Sequence, residues 1–459
     1  MSEAVLDTTL VRCWKRHQEY RKSGAKWYWE VPTHWDVQRL KYLATMNPSK
    51  SEIASLPKDT EVSFLPMEKV GEDGYLDLDL KKTIEDVYQG FTYFRDGDVL
   101  VAKITPCFEN GKGALAIGLE NGIGFGTTEF HVLRSKGEIE PKYLELVTRL
   151  HSFRGQGISE FTGAAGQQRV PESFLNNYVA PLPPLSEQRA ITAFLDRETA
   201  RIDALVVKKQ RLIELLEEKH KAVITHFVTI GLDPFVALKS SNCSWFPEVP
   251  KHWKILRLKD VVKLVTSGPR GWSERIEIEG SLFVQSGDLN DRMEIEFSTC
   301  KRVFVEDDAE SRRAKLAEGD VVVCVTGAKT GKVAVCRSIR EPAYVNQHLA
   351  LIRPNDFVVP AFLGNILKST IGQSYFDAAQ YGIKQGLSLE DIREVPVVLP
   401  PIDEQLAILD SLDKTIGSIE SVRSRIDVGI DRLQEYRTSL ISAAVTGQID
   451  VRKEVQLEE

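Results

Sequence analysis

No stretch of about 18 consecutive apolar residues occurs anywhere in this 459-residue chain, so no membrane-crossing helix is expected. The N-terminus carries Glu3 and Asp7 and lacks the basic-then-apolar layout of a secretory signal, which makes cytoplasmic the expected location. Cysteine is scarce. Cys13, Cys107, Cys243, Cys300, Cys324 and Cys336 form no C-x-x-C pair, and no histidines cluster at metal-ligand spacing. Reduced thiols and no metal site are the expectation. Positive charge is short too: 59 Lys and Arg against 66 Asp and Glu leave a net −7 at pH 7. A free-standing nucleic-acid binder is usually basic. Any DNA contact here therefore requires basic residues gathered on one face, or partners that supply charge.

Catalytic signatures are missing as well. There is no G-x-S-x-G, no H-E-x-x-H and no Pro-Pro-aromatic pattern of an adenine methyltransferase. The run Gly327 to Val333 resembles a phosphate loop but is one residue short, and Val333 stands where Ser or Thr would hold Mg²⁺. The glycines Gly122, Gly124 and Gly126 precede a strand instead of joining strand to helix, so the dinucleotide-binding context fails. No constellation for an autonomous enzyme remains.

What the chain does have is itself, twice. Val31-Pro32-Thr33-His34-Trp35 returns as Val249-Pro250-Lys251-His252-Trp253, an offset of 249 − 31 = 218. Pro183-Pro184-Leu185-Ser186-Glu187-Gln188 returns as Pro400-Pro401-Ile402-Asp403-Glu404-Gln405, an offset of 400 − 183 = 217. A period this long is a duplicated domain, since solenoid repeats run about 20–50 residues. Residues 1–26 lie outside the repeat and read as a weakly ordered arm or short helix. The first module runs over 27–185 with a long helix over 186–231, and the second over 245–402 with a helix over 403–447.

Each module reads as α+β. Asp98 to Ile104, Ala114 to Ile117 and Phe130 to Leu133 are strands by length and β-branched content, and Asp320 to Val325, Val333 to Val335 and His348 to Ile352 repeat them. Pro141 and Pro360 each open a helix at a first-turn position. Ser186 and Asp403 are good caps for the long helices. Beyond them Ile202, Leu205, Lys209, Leu212, Leu216, Lys219 and Val223 recur at alternating spacings of three and four. Ile419, Val422, Ile426, Gly429, Leu433, Tyr436 and Leu440 do the same. That is a coiled-coil seam, weakened at the two lysines, Gly429 and Tyr436.

Polar residues recur at equivalent loops. Lys103, Thr105 and Lys112 stand against Thr326, Lys329 and Lys332. Thr127 and Thr128 stand against Asn346 and Gln347. Gln167, Gln168 and Arg169 stand against Lys384 and Gln385. Gln and Asn pair with adenine, Lys and Arg with guanine, and Thr touches the thymine methyl, so these are the candidate DNA-reading residues.

In their order, the Val-Pro-x-His-Trp openers, the Gly97-Asp98-Val99 and Gly319-Asp320-Val321 strands and the Pro-Pro-x-x-Glu-Gln helix starts resemble the DNA-specificity subunit of type I restriction-modification systems. The resemblance covers nearly all of residues 27–447. It implies two target-recognition domains, each reading half of a bipartite DNA site. It implies two helices that pair antiparallel, space the domains and dock modification subunits, two of them expected. S-adenosylmethionine would sit on those subunits, with ATP and Mg²⁺ on a restriction (motor-nuclease) subunit, and no cofactor in this chain. The copies diverge most over 47–96 and 266–318, which points to two unlike half-sites. A duplicated protein-binding scaffold without a DNA role, and a methyltransferase specificity subunit without a nuclease partner, are the other readings the sequence allows.

Overall fold

A computed structural model describes residues 14–25, 28–163, 167–380 and 386–454. The candidate residues Lys384 and Gln385, and Trp27 at the expected module start, lie outside the described residues. The chain forms two compact units. The first extends to residue 208 and resumes at residue 429; the second is residues 209–428.

The first unit is built on a four-stranded antiparallel sheet in the order Ala44–Met46, Phe130–Ser135, Asp98–Ala102, Gly113–Leu115. Every residue of Asp98–Ala102 is buried, as the apolar run Val99 to Ala102 requires of a strand covered on both faces. Alternation divides the work. Val99 and Val101 pack with Tyr143, Leu144 and Val147 of the helix Pro141–Thr148. Leu100 and Ala102 face Leu65, Val70 and Phe94. Leu65 and Phe94 belong to a second sheet, ordered Lys81–Thr83, Glu61–Leu65, Ile123–Gly126, Thr92–Arg95.

The second unit repeats the plan with Val262–Ser267, Leu349–Pro354, Val321–Cys324 and Val333–Val335. Its other sheet is ordered Ile276–Glu277, Lys301–Val303, Ser281–Val284, Ala343–Val345. Both second sheets contain one parallel pair, Glu61–Leu65 with Ile123–Gly126 and Ser281–Val284 with Ala343–Val345. The strands around those pairs differ, and they lie mostly in the stretches where the two copies diverge.

The repeated Gly-Asp-Val is a fold device. Gly97 and Gly319 turn the chain at φ of 89° and 86°, a region glycine enters without steric cost. The aspartate that follows is sealed in the core and accepts a forked pair of hydrogen bonds. Arg134 donates to Asp98 at 2.7 and 2.7 Å, and Arg353 to Asp320 at 2.8 and 2.7 Å. The same carboxylates accept the turn amides of Arg95 and Ala317. A buried carboxylate is tolerable only with such complete pairing.

The long helices are Leu185–Thr229 and Ile402–Val445, each starting one residue before the expected cap. They pair antiparallel. In the first unit Arg437 bonds Asp203 at 3.0 Å, and in the second Arg423 meets Glu217 at 3.1 Å. Stepping forward 14 residues in one helix steps back 14 in the other. Ile202, Leu433 and Leu440 are buried in the first unit's core, with Leu205 and Tyr436 packed against it. In the second unit Ile419 and Ile426 are buried, and Val223 packs on the core beside Ile224 and Val228.

Leu212 corrects the expected seam, because it is 44% exposed. Lys219 is exposed as well, while their neighbours Ile213 and His220 are half-buried, as are the seam positions Leu205, Lys209, Leu216 and Val223. At 3.6 residues per turn a straight helix drifts off a strict 3.5-residue repeat, so at Leu212 and Lys219 the contact passes to the next residue.

Residues 14–25 also depart from the expected arm. Tyr20–Lys22 is a strand paired with Glu30–Pro32, and the Trp14 ring stands edge-on to Phe194 at 4.8 Å. The five described cysteines are unpaired. Among the described residues no helix is long and apolar enough to cross a membrane.

Candidate nucleic-acid interface

Two clasps fix each globular body to helix ends. The glutamate of Pro-Pro-x-x-Glu-Gln meets the histidine of Val-Pro-x-His-Trp: Glu187 with His34, and Glu404 with His252, both at 2.8 Å. The glutamine beside it caps backbone. Gln188 Oε1 accepts from the Glu140 amide at 2.7 Å, and Nε2 donates to the carbonyls of Glu138 and Pro183. Gln405 does the same for Val359, Phe357 and Pro400. Then the tryptophan receives a helix end. A Cβ on Gly447 would lie 3.1 Å from Trp35, and one on Gly231 3.1 Å from Trp253. Each body thus holds the start of one long helix and the end of the other. These motifs frame the candidate loops and do not belong to them.

The loops themselves gather at the end of the central strand. Lys103 follows Asp98–Ala102; its amide donates to Glu129 O at 2.9 Å, and its carbonyl accepts from Val170 at 2.8 Å. Val325 repeats both bonds, to His348 O at 2.9 Å and from Leu387 at 2.7 Å. In each unit one strand end therefore ties together three loops: the one after it, the one before the third strand, and the one near residue 168 or 386. The sequence matched these loops in pairs. Among the described residues the structure brings these loops together in each unit, while Lys384 and Gln385 lie outside those residues.

Individual candidates fare differently. In the first unit Thr105 donates to the Gln168 carbonyl at 3.1 Å, and Thr127 accepts from the Glu129 amide. Lys112 donates to the Met67 carbonyl at 3.1 Å, so its ammonium braces the loop. Arg169 is held in a fork by Glu129 at 2.9 and 2.9 Å, and that guanidinium keeps the Glu129 carboxyl below its usual range. Gln167 and Thr128 are exposed, and Lys103 and Gln168 half-buried.

In the second unit Lys332 pairs with the nearly fully exposed Asp291 at 2.9 Å. Lys329 is exposed and reaches the Gly287 carbonyl only at 3.4 Å. Asn346 is buried and accepts from the His348 amide at 3.1 Å, which makes it a turn former. His348 is exposed and joins Thr326 on one ring nitrogen and Gln347, at 3.3 Å, on the other.

Glu129 and His348 were missed from sequence. They occupy the same position, directly after Thr127-Thr128 and Asn346-Gln347, and that adjacency was the available signal. His131 was missed too. It is buried, its Nε2 donates to Val170 O at 2.9 Å, and burial pushes its imidazole pKa down. Chemically the loops offer amides, hydroxyls, an imidazole and ammonium groups on a rigid frame. That set suits the reading of base edges and phosphates.

A family model described as "Type I restriction modification DNA specificity domain" matches residues 32–215 and 250–428. The EcoAI type I restriction enzyme specificity subunit of Escherichia coli is 44% identical over 165 residues, 35% of this chain and 27% of that relative. The EcoEI specificity subunit, also of Escherichia coli, is 39% identical over 204 residues, 44% of this chain and 33% of that relative. The chain thus spans about a third or less of these two relatives. A solved structure from work on complex assembly and conformational transition of the type I R-M system superposes with a TM-score of 0.72 at 19% identity. It covers 91% of this chain and 99% of the other, a likeness of fold.

Proposed function

We propose that this chain, which belongs to the type I restriction modification DNA-specificity family, reads a DNA site in two unlike halves, one with each globular unit. A single observation carries the reading. The same three loops converge at the same strand end twice, through the same backbone bonds at Lys103 and Val325, and carry different side chains in each copy. A shared frame with unlike tips is what two different half-sites require.

The chain itself performs no bond chemistry in this proposal. Modification subunits, two of them, would bring S-adenosylmethionine and methylate the site. A restriction subunit would bring ATP, Mg²⁺ and strand cleavage. The formal charge of −7 fits this division, because partner subunits can clamp phosphates while this chain reads bases. The two long helices would serve as the docking spine for those subunits.

The test is a map of methylated positions in host DNA with and without this gene, alongside binding of the assembled complex to duplexes at fixed salt. The expected result is one bipartite motif that vanishes with the gene. Exchanging residues 47–178 for those of a relative should change one half of the motif only. A change in both halves, or methylation independent of the gene, would refute the proposal.

A further inference from the structure

The first clasp contains a residue that the second lacks. His17 is 6% exposed, and both of its ring nitrogens are sealed from solvent without a hydrogen-bond partner among the described residues. Buried polar groups are nearly always paired, so an imidazole with neither nitrogen satisfied needs an explanation. Its surroundings supply one. His17 Nε2 lies 3.7 Å from Glu187 Oε1, and His34 Nε2 lies 2.8 Å from Glu187 Oε2. One ligand-type atom from each of His17, His34 and Glu187 falls within 4.8 Å of the others.

We propose that His17 Nε2, His34 Nε2 and the Glu187 carboxylate bind one divalent transition-metal ion, with zinc the ion their chemistry fits. Two imidazoles and a carboxylate are a common zinc ligand set, with ligand atoms at about 2.0–2.2 Å. Around such an ion tetrahedral ligands stand roughly 3.4 Å apart, so small shifts of the His34 and Glu187 side chains would seat it. Asp450 completes the arrangement from behind. Its Oδ2 is 4.0 Å from His17 Nδ1, the place where a carboxylate orients a metal-bound imidazole. The local charge also favours a cation. Glu187 and Asp450 contribute two negative charges, against one from Arg452, which pairs with Asp450 at 2.7 Å and stands 4.0 Å from Glu187. Side-chain exposure of 37% at His34 gives the ion an entry path and room for water as a fourth ligand.

The duplication provides an internal control. Thr33 donates its amide to Glu19 O as Lys251 donates to Ala237 O, which places Phe235 where His17 would be. Phe235 is 91% exposed, and among the described residues the His252–Glu404 pair has no third His, Cys, Asp or Glu ligand atom beside it. The clasp therefore does not need a buried histidine to form, and His17 is available for another purpose. An ion there would staple three segments far apart in sequence, near residues 17, 34 and 187, within the first unit.

The test uses the full-length chain, stripped with chelator, gel-filtered and titrated with zinc alone against a chromophoric competitor. The expected result is one zinc retained per chain and a rise in melting temperature on adding zinc. His17→Phe, which installs the second copy's residue, should lose that zinc and that rise. Asp450→Asn should weaken binding about 10–100-fold. His252→Ala should keep the full equivalent. Cobalt loading should give the visible absorption of a low-symmetry site in the native chain and not in His17→Phe. A native chain that retains no zinc overturns the proposal and leaves His17 as a histidine between two carboxylates. Equal retention by His17→Phe, or loss through His252→Ala, overturns it too. If His17→Phe failed to fold, an unweakened Asp450→Asn would still count against it.

Discussion

Glu187 and His34, 153 residues apart in the chain, meet at 2.8 Å, and Glu404 and His252 meet at the same distance. The two motifs that identify the repeat are thus halves of one contact. The histidine arrives on the turn after a short strand, and the glutamate in the first turn of a long helix, where a carboxylate also suits the helix dipole. The contact explains why both motifs occur together, and why neither belongs to the loops that vary.

The glutamine beside each glutamate is the stronger structural element. Gln188→Ala would orphan one backbone amide and two carbonyls in a buried corner, and Gln405→Ala would do the same. Each unsatisfied group costs about 1–3 kcal/mol, less whatever water recovers. Either variant should melt several degrees below the native chain. Unchanged melting curves for both would refute the capping role.

Arg353→Met should leave Asp320 as a buried, unpaired carboxylate and cost about 3–5 kcal/mol. Adding Asp320→Ala should recover part of that loss, because the stranded charge is gone. Arg134→Met with and without Asp98→Ala should behave alike. Denaturant titrations of the four variants decide it. A double variant no more stable than the single one would show that the pair itself supplies the stability.

Glu129 restrains Arg169. Its carboxyl is held below the usual range by that guanidinium. A lowered folded-state pKa means the stabilisation is fully present above the unfolded value near 4.5 and is lost as pH falls through the lower folded value. Hydrogen exchange at residues 167–170 should therefore accelerate only below about pH 4.5, as expected for a carboxylate of this kind. At neutral pH Glu129→Gln should release Arg169. Binding of the assembled complex to unrelated duplexes should tighten, and the salt slope should steepen by about one unit for each phosphate that Arg169 then neutralises. No change in either quantity would remove Arg169 from the DNA face.

Gln167 and Lys329 are two of the exposed candidates, and the Lys329 ammonium reaches only the Gly287 carbonyl at 3.4 Å. Gln167→Ala should relax discrimination at one position of one half-site by about 1–3 kcal/mol. Lys329→Ala should instead weaken binding to all sequences alike, as a phosphate contact does. Methylation maps and competition binding with base-substituted duplexes separate the two patterns. Interchanged patterns would reverse the assigned roles.

Leu212→Glu tests the shifted stripe on the first long helix. With 44% of its surface in solvent, the substitution should change stability by no more than about 0.5 kcal/mol. Ile426→Glu, which puts a charge into the buried seam, should cost several times that. Equal losses would restore Leu212 to the seam.

The sequence alone determined the duplication, the α+β character, the main strands and the two long helices, because each rests on local periodicity or on repeated words. Apolar runs such as Val99 to Ala102 state their own burial. The seam of the second helix was legible too, since Ile419, Ile426, Leu433 and Leu440 are buried where the spacing put them. Only the tertiary structure decided the rest. The drift that moves the first seam from Leu212 to Ile213 depends on helix twist, which a list of spacings does not contain. Which loop side chains the fold itself engages depends on partners distant in sequence: Met67 takes Lys112, Glu129 takes Arg169, and Asp291 takes Lys332. The meeting of His17, His34 and Glu187 is the extreme case. It is made by the chain folding its beginning onto the start of a helix more than 150 residues away, and no local pattern records that distance.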